Sequence, residues 1–231
     1  MGAAAASLVE DTVSGTGAAG IIFAAAPSQN DILASLRAGT RIAWPRVTAY
    51  HLDEYVGLPT GHPASFRRYI REHLLDHVPV AEFHQLRGDA PDPEAEGARY
   101  AALLAQGKPE VAILGIGENG HLAFIDPPVC DFSDPRDVRT VELDAVCRMQ
   151  QVHDGAFPRI EDVPRRALSV TIPLLMRTPR LVVVVPGPAK RRAIQAALEE
   201  EISEACPASI LRRHPDAALF LDRDAAALLK E

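Results

Sequence analysis

An uninterrupted apolar run, Leu181-Val182-Val183-Val184-Val185, is the strongest strand signal in the chain. The run ends at Pro186-Gly187, and a helical pattern follows from Ala189 to Glu200. A strand with no polar alternation is buried on both faces, which is typical of a parallel sheet covered by helices. This stretch therefore predicts one βα unit of a mostly parallel sheet.

Strand and helix patterns alternate along the rest of the chain, which predicts an α/β fold: a mostly parallel, Rossmann-like sheet with helices on both faces. Ser28 is the expected N-cap of the second helix. We expect one domain over residues 1–231, with a cap segment within 126–165. The other predicted strands cover residues 20–25, 46–52, 110–115, 139–143, 167–172 and 217–221, and the other predicted helices cover 3–14, 31–37, 63–77, 92–106, 144–153 and a terminal segment from 222.

Length and composition fit a single globular domain of 231 residues, of which 47% are hydrophobic and 24% charged. A net charge of -7 argues against nucleic acid or an anionic membrane as a partner. The cysteines, Cys130, Cys147 and Cys206, are too few and too unpatterned to suggest disulfides or a zinc site. No run is long enough to span a membrane, and the start lacks the basic flank of a signal peptide. We therefore expect a cytoplasmic protein.

A glycine-rich turn follows the apolar run Val111–Leu114 and extends from Gly115 to Pro127. It contains Gly117 and Gly120, at which positive φ angles and close approach of a ligand are allowed, and it carries a histidine and two acids. A strand that ends in such a turn is where an open α/β sheet places its ligand site.

Three further predicted strands are followed by turns that carry polar groups, namely Ser28, Asp53 and Lys190. In a parallel sheet these turns and the turn that bears His121 lie at the same edge. We therefore expect the four side chains to meet in one crevice.

Two stretches together are similar to the glucosamine-6-phosphate deaminase family, whose wider superfamily includes 6-phosphogluconolactonases. One is Gly-Ile-Gly-Glu-Asn-Gly-His-Leu-Ala-Phe at 115–124, and the other is Leu-Asp-Glu-Tyr-Val-Gly-Leu at 52–58. Weaker similarity covers nearly the whole chain and includes residues 186–190 and 206–209. Both stretches point to the deaminase branch.

The resemblance implies the catalytic roles. Asp53 would be the base that moves a proton between carbons 2 and 1 of the open-chain sugar. Because Asp53 and Glu54 are adjacent on a strand end, one can face the crevice while the other makes a structural contact, and Glu54 is a candidate substrate-binding residue. His121 would open the sugar ring. Asn119 and Asp126 would orient His121, although many family members have Glu where this chain has Asp126.

The resemblance also implies a phosphate site. Lys190 begins a helix after a Pro-Gly turn, and Arg148 is the nearest candidate for an arginine that related deaminases use to hold phosphate. The family's phosphate loop is rich in Gly and Ser or Thr, whereas this chain has Ala24-Ala25-Ala26-Pro27-Ser28-Gln29. Alanine disfavours positive φ and proline lacks an N–H, so we expect a weakened site built from Ser28, Gln29 and Lys190.

The resemblance implies an aldose–ketose isomerase that deaminates an amino sugar 6-phosphate, a hydrolase/isomerase with no organic cofactor. His121 has no partner at metal-ligand spacing, and no metal is expected. Two alternatives stay open: a lactone hydrolase of the phosphogluconolactonase type, and a sugar-phosphate-binding relative without catalysis. The sequence also leaves open the sugar epimer, an allosteric effector and whether the protein forms a homo-oligomer.

Overall fold

The computed structural model describes residues 1–15 and 17–230. Its central sheet has six strands, all paired in parallel, in the order β4-β2-β1-β5-β8-β9. Helices flank the sheet, as predicted. A second sheet has three antiparallel strands in the order β3-β7-β6. The strands are β1 Ala19–Phe23, β2 Val47–His51, β3 Asp53–Tyr55, β4 Glu82–Phe83, β5 Val111–Leu114, β6 Val138–Glu142, β7 Arg166–Val170, β8 Arg180–Val185 and β9 Ala217–Leu221.

Seven helices of α type connect these strands in the described part of the chain, and the third continues into a π-helical turn at Arg71–Leu75. Short 3₁₀ turns directly precede α2 and α7, and others lie in loops. The helices are α1 Gly2–Val13, α2 Asn30–Ala38, α3 Phe66–Ile70, α4 Pro93–Gly107, α5 Ala145–His153, α6 Ile172–Arg177 and α7 Arg191–Glu199.

The strand order contains one topological switch point. From β1 the chain adds β2 and β4 on one side, and it then adds β5, β8 and β9 on the other. The central strands β1 and β5 are buried along their whole length, which explains their apolar runs. Ligands of open α/β sheets bind at the carboxyl ends of the strands beside such a switch. The loops after β1 and β5 are therefore the expected walls of a site.

The second sheet was not predicted, and it begins at the site. After β2 the chain leaves the parallel sheet at Leu52, and the next residues, Asp53–Tyr55, pair with β7. The segment predicted as a cap, residues 126–165, includes β6 and α5. Asp53 thus belongs to a short strand of its own rather than to the end of β2.

Three local predictions were wrong. Ser28 does not cap α2, because Pro27–Gln29 form a 3₁₀ turn and the helix begins only at Asn30. Residues 222–230 form turns instead of the predicted terminal helix. The strand predicted over 167–172 ends at Val170, because Ile172 already begins α6. No helix in the described part of the chain is long and apolar enough to cross a membrane.

Candidate active site

An open pocket of about 530 Å³ lies at the carboxyl edge of the parallel sheet, beside the switch point. The pocket brings together Ser28, Asp53, His121 and Lys190, the four side chains that the sequence placed at this edge. It is lined by Ala24, Ala25, Ala26, Ser28, Gln29, Leu52, Asp53, Phe66, Gly115, Ile116, Gly117, His121, Ala123, Phe124, Gln150, Gln151, Asp154 and Lys190.

Asp53 presents a carboxyl group that is nearly buried yet has no hydrogen bond or ion pair with any described residue. Its side chain is 8% exposed and faces the pocket. Burial, with a smaller contribution from the neighbouring Glu54 charge, raises the pKa of Asp53 well above its ordinary value. A carboxylate with a raised pKa and a free face is suited to accept a proton from a bound ligand.

Glu54 points the other way and is fully buried in a structural network. Its Oε2 accepts hydrogen bonds from Ser65 Oγ at 2.8 Å and from Arg67 Nε at 3.1 Å, and its Oε1 accepts from the amide of Phe66. Burial raises the pKa of Glu54, and the bonds from Arg67 and Ser65 oppose that rise. Glu54 was a candidate substrate-binding residue, but the structure does not bring it to the pocket. It fastens β3 to the start of α3.

His121 lies against Asp126 within the glycine-rich turn. The Nδ1 atom of His121 is 2.9 Å from Oδ1 of Asp126, at an angle that falls short of an aligned hydrogen bond. Burial acts to raise the pKa of Asp126, but the contact with His121 and the amide of Asn119 together hold that pKa below its ordinary value. The ionised carboxylate favours a proton on Nδ1, which leaves Nε2 of His121 as the acceptor for a ligand.

Asn119 lies outside the pocket, and its side chain hydrogen-bonds to other residues of the glycine-rich turn and to Asp144. Its Nδ2 donates to Oδ1 of Asp126 at 2.9 Å and to Oδ2 of Asp144 at 3.2 Å, and its Oδ1 accepts from the backbone amide of His121 at 3.1 Å. Asn119 and Asp126 do not line the pocket, but both contact His121. This position agrees with the orienting role that the sequence suggested for them.

Two glycines of the turn are required for different reasons. A Cβ atom at Gly117 would lie 2.2 Å from Cε1 of His121, so the imidazole ring packs directly on the backbone there. Gly120 has a φ of 84°, which most side chains avoid, and it does not line the pocket. The glycine-rich turn thus holds the imidazole ring of His121 against the backbone at Gly117.

The loop after β1 keeps several donors for an anion. The backbone amides of Ala25 and Ala26 make no hydrogen bond with a described residue, and the Ser28 hydroxyl faces the pocket. The amide of Gln29, which the sequence suggested as a donor, instead bonds the carbonyl of Ala26 within the 3₁₀ turn. The Gln29 side chain donates to Ser28 Oγ and to the carbonyl of Val184, both at 3.1 Å. Gln29 thereby braces the loop against β8.

Lys190 is the cation of the pocket. It is 8% exposed, and its ammonium group has no hydrogen bond or ion pair within the described part of the chain. Burial lowers the pKa of Lys190, and the negative charges of Asp154 and Glu118 partly offset that effect. An almost buried ammonium without a partner is a binding group for an anionic ligand.

Arg148 does not reach the pocket. Its guanidinium donates to the carbonyl oxygens of Ile160 and Val163, which fixes the loop after α5. The pocket side of α5 carries Gln150, Gln151 and Asp154 instead. These residues recur with Cys147 at intervals of three and four, so a helical periodicity count over this segment would have separated them from Arg148.

The fold and the pocket together define a class: an open parallel α/β protein with an acid–base site and one cation at its topological switch point. The family model for glucosamine-6-phosphate isomerases/6-phosphogluconolactonase matches residues 2–220. The chain therefore belongs to this family.

Individual relatives agree with that assignment. A glucosamine-6-phosphate deaminase of Bacillus cytotoxicus is 34% identical over 224 residues, which are 97% of this chain and 83% of the relative. One of Exiguobacterium sp. is 37% identical over 185 residues, 80% of this chain and 71% of the relative. The solved structure of a monomeric glucosamine-6-phosphate deaminase has a TM-score of 0.91 at 29% identity, covering 98% of this chain and 95% of the other. A 6-phosphogluconolactonase of Trypanosoma brucei, with a TM-score of 0.79 at 17% identity over 100% and 96% of the two chains, shares the fold.

Proposed function

We propose that this chain is an aldose–ketose isomerase that deaminates an amino sugar 6-phosphate, with glucosamine 6-phosphate as its substrate. One observation carries the proposal: the pocket is lined by a nearly buried, unpartnered Asp53 carboxyl with a raised pKa, by His121, which contacts Asp126 behind it, and by the free ammonium group of Lys190. The names of the relatives, all glucosamine-6-phosphate deaminases at 34% to 38% identity, support the choice of substrate.

The substrate phosphate would lie against Lys190, Ser28 and the free amides of Ala25 and Ala26. This places the sugar between the phosphate loop and the glycine-rich turn. Charge-assisted hydrogen bonds from an ammonium group and backbone amides are the usual means of holding a phosphate. The reacting carbons are then left for Asp53 and His121.

Ring opening would come first. Nε2 of His121 accepts the proton of the hydroxyl on carbon 1 and returns a proton to the ring oxygen, which gives the open-chain aldehyde. Asp126 stabilises the imidazolium that forms between the two transfers. Because Nδ1 of His121 faces Asp126, the neutral ring carries its proton on Nδ1 both before and after the two transfers.

Proton transfer along the chain would follow. Asp53 removes the proton from carbon 2 while the oxygen on carbon 1 takes up a proton, which gives an enolamine. Asp53 then delivers its proton to carbon 1 and the nitrogen gives up one proton, so that a hydroxyl is left on carbon 1 and an imine at carbon 2. Water adds to this imine, and ammonia leaves with formation of the ketose phosphate. The net reaction consumes one water and releases one ammonia, as a hydrolysis of the C–N bond requires.

The proposal is tested by ammonia release from glucosamine 6-phosphate and galactosamine 6-phosphate, with acid release from 6-phosphogluconolactone as the comparison. We expect ammonia from an amino sugar phosphate and no lactone hydrolysis above background. Turnover in D₂O should leave part of the original hydrogen of carbon 2 on carbon 1 of the product, because one carboxylate carries it between the two carbons. Lactone hydrolysis without ammonia release would overturn the proposal.

Asp53→Asn is the matched variant for this assay. It preserves the size of the side chain and removes the base, so ammonia release should fall by at least ~10²-fold. Asp224→Asn, at an exposed position that makes no side-chain hydrogen bond, is the control and should leave turnover unchanged.

A further inference from the structure

Three buried side chains, two from the glycine-rich turn and one from α5, lie close together beside the pocket. They are His121, Asp126 at the end of the glycine-rich turn, and Cys147 on α5. One nitrogen, one oxygen and one sulfur atom from these residues all lie within 4.8 Å of one another. We refer to them as the His121–Asp126–Cys147 cluster.

The cluster contains an unsatisfied donor group. Nδ1 of His121 is buried and makes no aligned hydrogen bond, although Asp126 is close by. The Cys147 side chain is fully buried, and burial together with the Asp126 carboxylate raises the pKa of its thiol. Cys147 is therefore an inert thiol until a cation replaces its proton.

Neighbouring groups hold each member of the cluster in place. Oδ2 of Asp126 accepts the backbone amide of Asp144 at 3.2 Å, and Oδ1 accepts the Asn119 amide. Asp144 also caps α5 by accepting the amide of Cys147 at 2.6 Å. Metal ligands in proteins are normally fixed by outer hydrogen bonds of this kind.

The donor set suits zinc. Three atoms that all lie within 4.8 Å of one another can all be within about 2.8 Å of a common point, and Zn–ligand bonds are roughly 2.0 to 2.3 Å long. Shifts of about half an ångström would thus complete three bonds. Imidazole, carboxylate and thiolate are a borderline-soft set that zinc prefers over magnesium or calcium. A neutral imidazole with two anionic ligands also balances the charge of a divalent ion.

We propose that the His121–Asp126–Cys147 cluster is an inhibitory binding site for Zn²⁺. The ion enters from the pocket, which His121 lines, and it displaces the thiol proton into solution. Once Nδ1 is coordinated, the remaining proton of the ring is on Nε2, and the imidazole can no longer accept a proton there. This consequence for turnover rests on the proposed ring-opening role of His121, whereas the binding of the ion does not.

Binding is tested without activity by titrating the intact protein with Co²⁺ and recording the near-ultraviolet thiolate-to-cobalt absorption band. We expect the band in the wild type and its loss on addition of Zn²⁺. Cys147→Val, which replaces the thiol by a side chain without a metal ligand, should abolish the band and weaken zinc binding by at least ~10²-fold. Cys206→Ser, a change to another buried cysteine outside the cluster, should retain both.

Inhibition is tested by ammonia release with increasing Zn²⁺, with a chelator added to restore turnover. Cys147→Val should need at least ~10-fold more zinc than the wild type for the same inhibition. If this variant does not fold, as shown by circular dichroism, Cys147→Ala and Cys147→Ser take its place in the same titrations.

Absence of the band in the wild type, or its persistence in Cys147→Val, would overturn the site. A band that behaves as expected in a protein that releases no ammonia from any amino sugar phosphate would support the site and refute the proposed function. A protein that releases ammonia but shows no band would support the proposed function and refute the zinc site.

Discussion

Replacing Asp53 by Asn should make the protein more stable while it removes turnover. In the wild type the Asp53 carboxyl is nearly buried and has no partner, and burial raises its pKa well above the ordinary value. An ionised carboxylate at this position therefore opposes folding. The neutral amide keeps the shape of the side chain without that charge.

The size of the effect follows from the desolvation of one unpaired group. Leaving such a group buried costs about 1 to 3 kcal/mol, and every unit by which its pKa is raised is worth about 1.4 kcal/mol. For a chain of 231 residues, 1 kcal/mol shifts Tm by roughly 2 to 4 °C. We expect Asp53→Asn to raise Tm by several degrees at pH 8.

The pH dependence of the difference identifies its cause. Because the pKa of Asp53 is higher in the folded than in the unfolded state, its stabilising contribution is complete below about pH 4 and is lost as the pH rises through the folded-state pKa. The two proteins should thus melt together at pH 4 and diverge at higher pH. Activity should show the complementary trend, since the acid limb of kcat/KM should lie well above pH 4 and Asp53→Asn should lose at least ~10²-fold.

The assay is thermal unfolding by circular dichroism between pH 4 and pH 8, with ammonia release measured on the same samples. Asp224→Asn is exposed and should change Tm by less than about 1 °C at every pH. A variant at Asp53 that is less stable than the wild type at pH 8, or a difference that does not vary with pH, would refute the reasoning.

Four further changes have expected outcomes. Glu54→Gln should destabilise the fold by about 3 kcal/mol in urea unfolding, because it removes the buried carboxylate of Arg67 and leaves that guanidinium with Asp89 alone. His121→Gln should reduce turnover of the cyclic substrate far more than that of an open-chain analogue. Gly117→Ala should lower kcat, since a methyl group there would meet the His121 ring at 2.2 Å. Lys190→Gln should raise the Kd for sugar phosphate by at least ~10-fold and leave the affinity for the unphosphorylated amino sugar unchanged.

For each of these four predictions, one result would contradict the reasoning. A Glu54→Gln variant as stable as the wild type would mean that the Arg67 network adds nothing to the fold. Equal losses of His121→Gln on cyclic and open-chain substrates would assign His121 a structural role. Unaltered kcat in Gly117→Ala would show that the turn tolerates a shifted imidazole, and equal weakening of both ligands in Lys190→Gln would place the phosphate elsewhere.

The parallel sheet was predictable because its signals are local and strong. An apolar run such as Leu181–Val185 is long enough to distinguish a buried strand, and helical periodicity after each run fixed the βα order. The strand order, which decides where the site lies, depends on pairings between distant segments. The sequence could place four polar turns at one edge only because all parallel strands share that edge.

The second sheet could not be predicted from local pattern. Asp53–Tyr55 is three residues long, and its partner in β7 lies more than a hundred residues further along the chain. Strands this short carry no periodicity of their own. The end of β2 was placed one residue too late, at Leu52, whose amide still bonds the carbonyl of Phe23 in β1 but whose carbonyl already accepts from Val170 of β7.

Arg148 shows that residue type alone does not identify a phosphate-binding side chain. Arg148 was chosen because arginine commonly binds phosphate, yet its neighbours on α5 decide which way it points. Cys147, Gln150 and Gln151 form the buried side of that helix, and Arg148 lies between them on a different side. Its guanidinium therefore finds backbone carbonyls of the following loop, and amide side chains take its place at the pocket.

The pair Asp53–Glu54 joins these points into one physical account of the site. Side chains alternate along a strand, so adjacent acids must face opposite ways, but alternation does not say which one faces the pocket. That choice is made by the antiparallel pairing of β3 with β7, which turns Glu54 toward Ser65 and Arg67 and leaves Asp53 on the open side. One acid is thus neutralised by an arginine and stabilises the fold, while its neighbour is left unpaired and destabilises it. The unpaired acid is the one whose raised pKa suits proton transfer, so the same local pairing that anchors the strand also creates the reactive group.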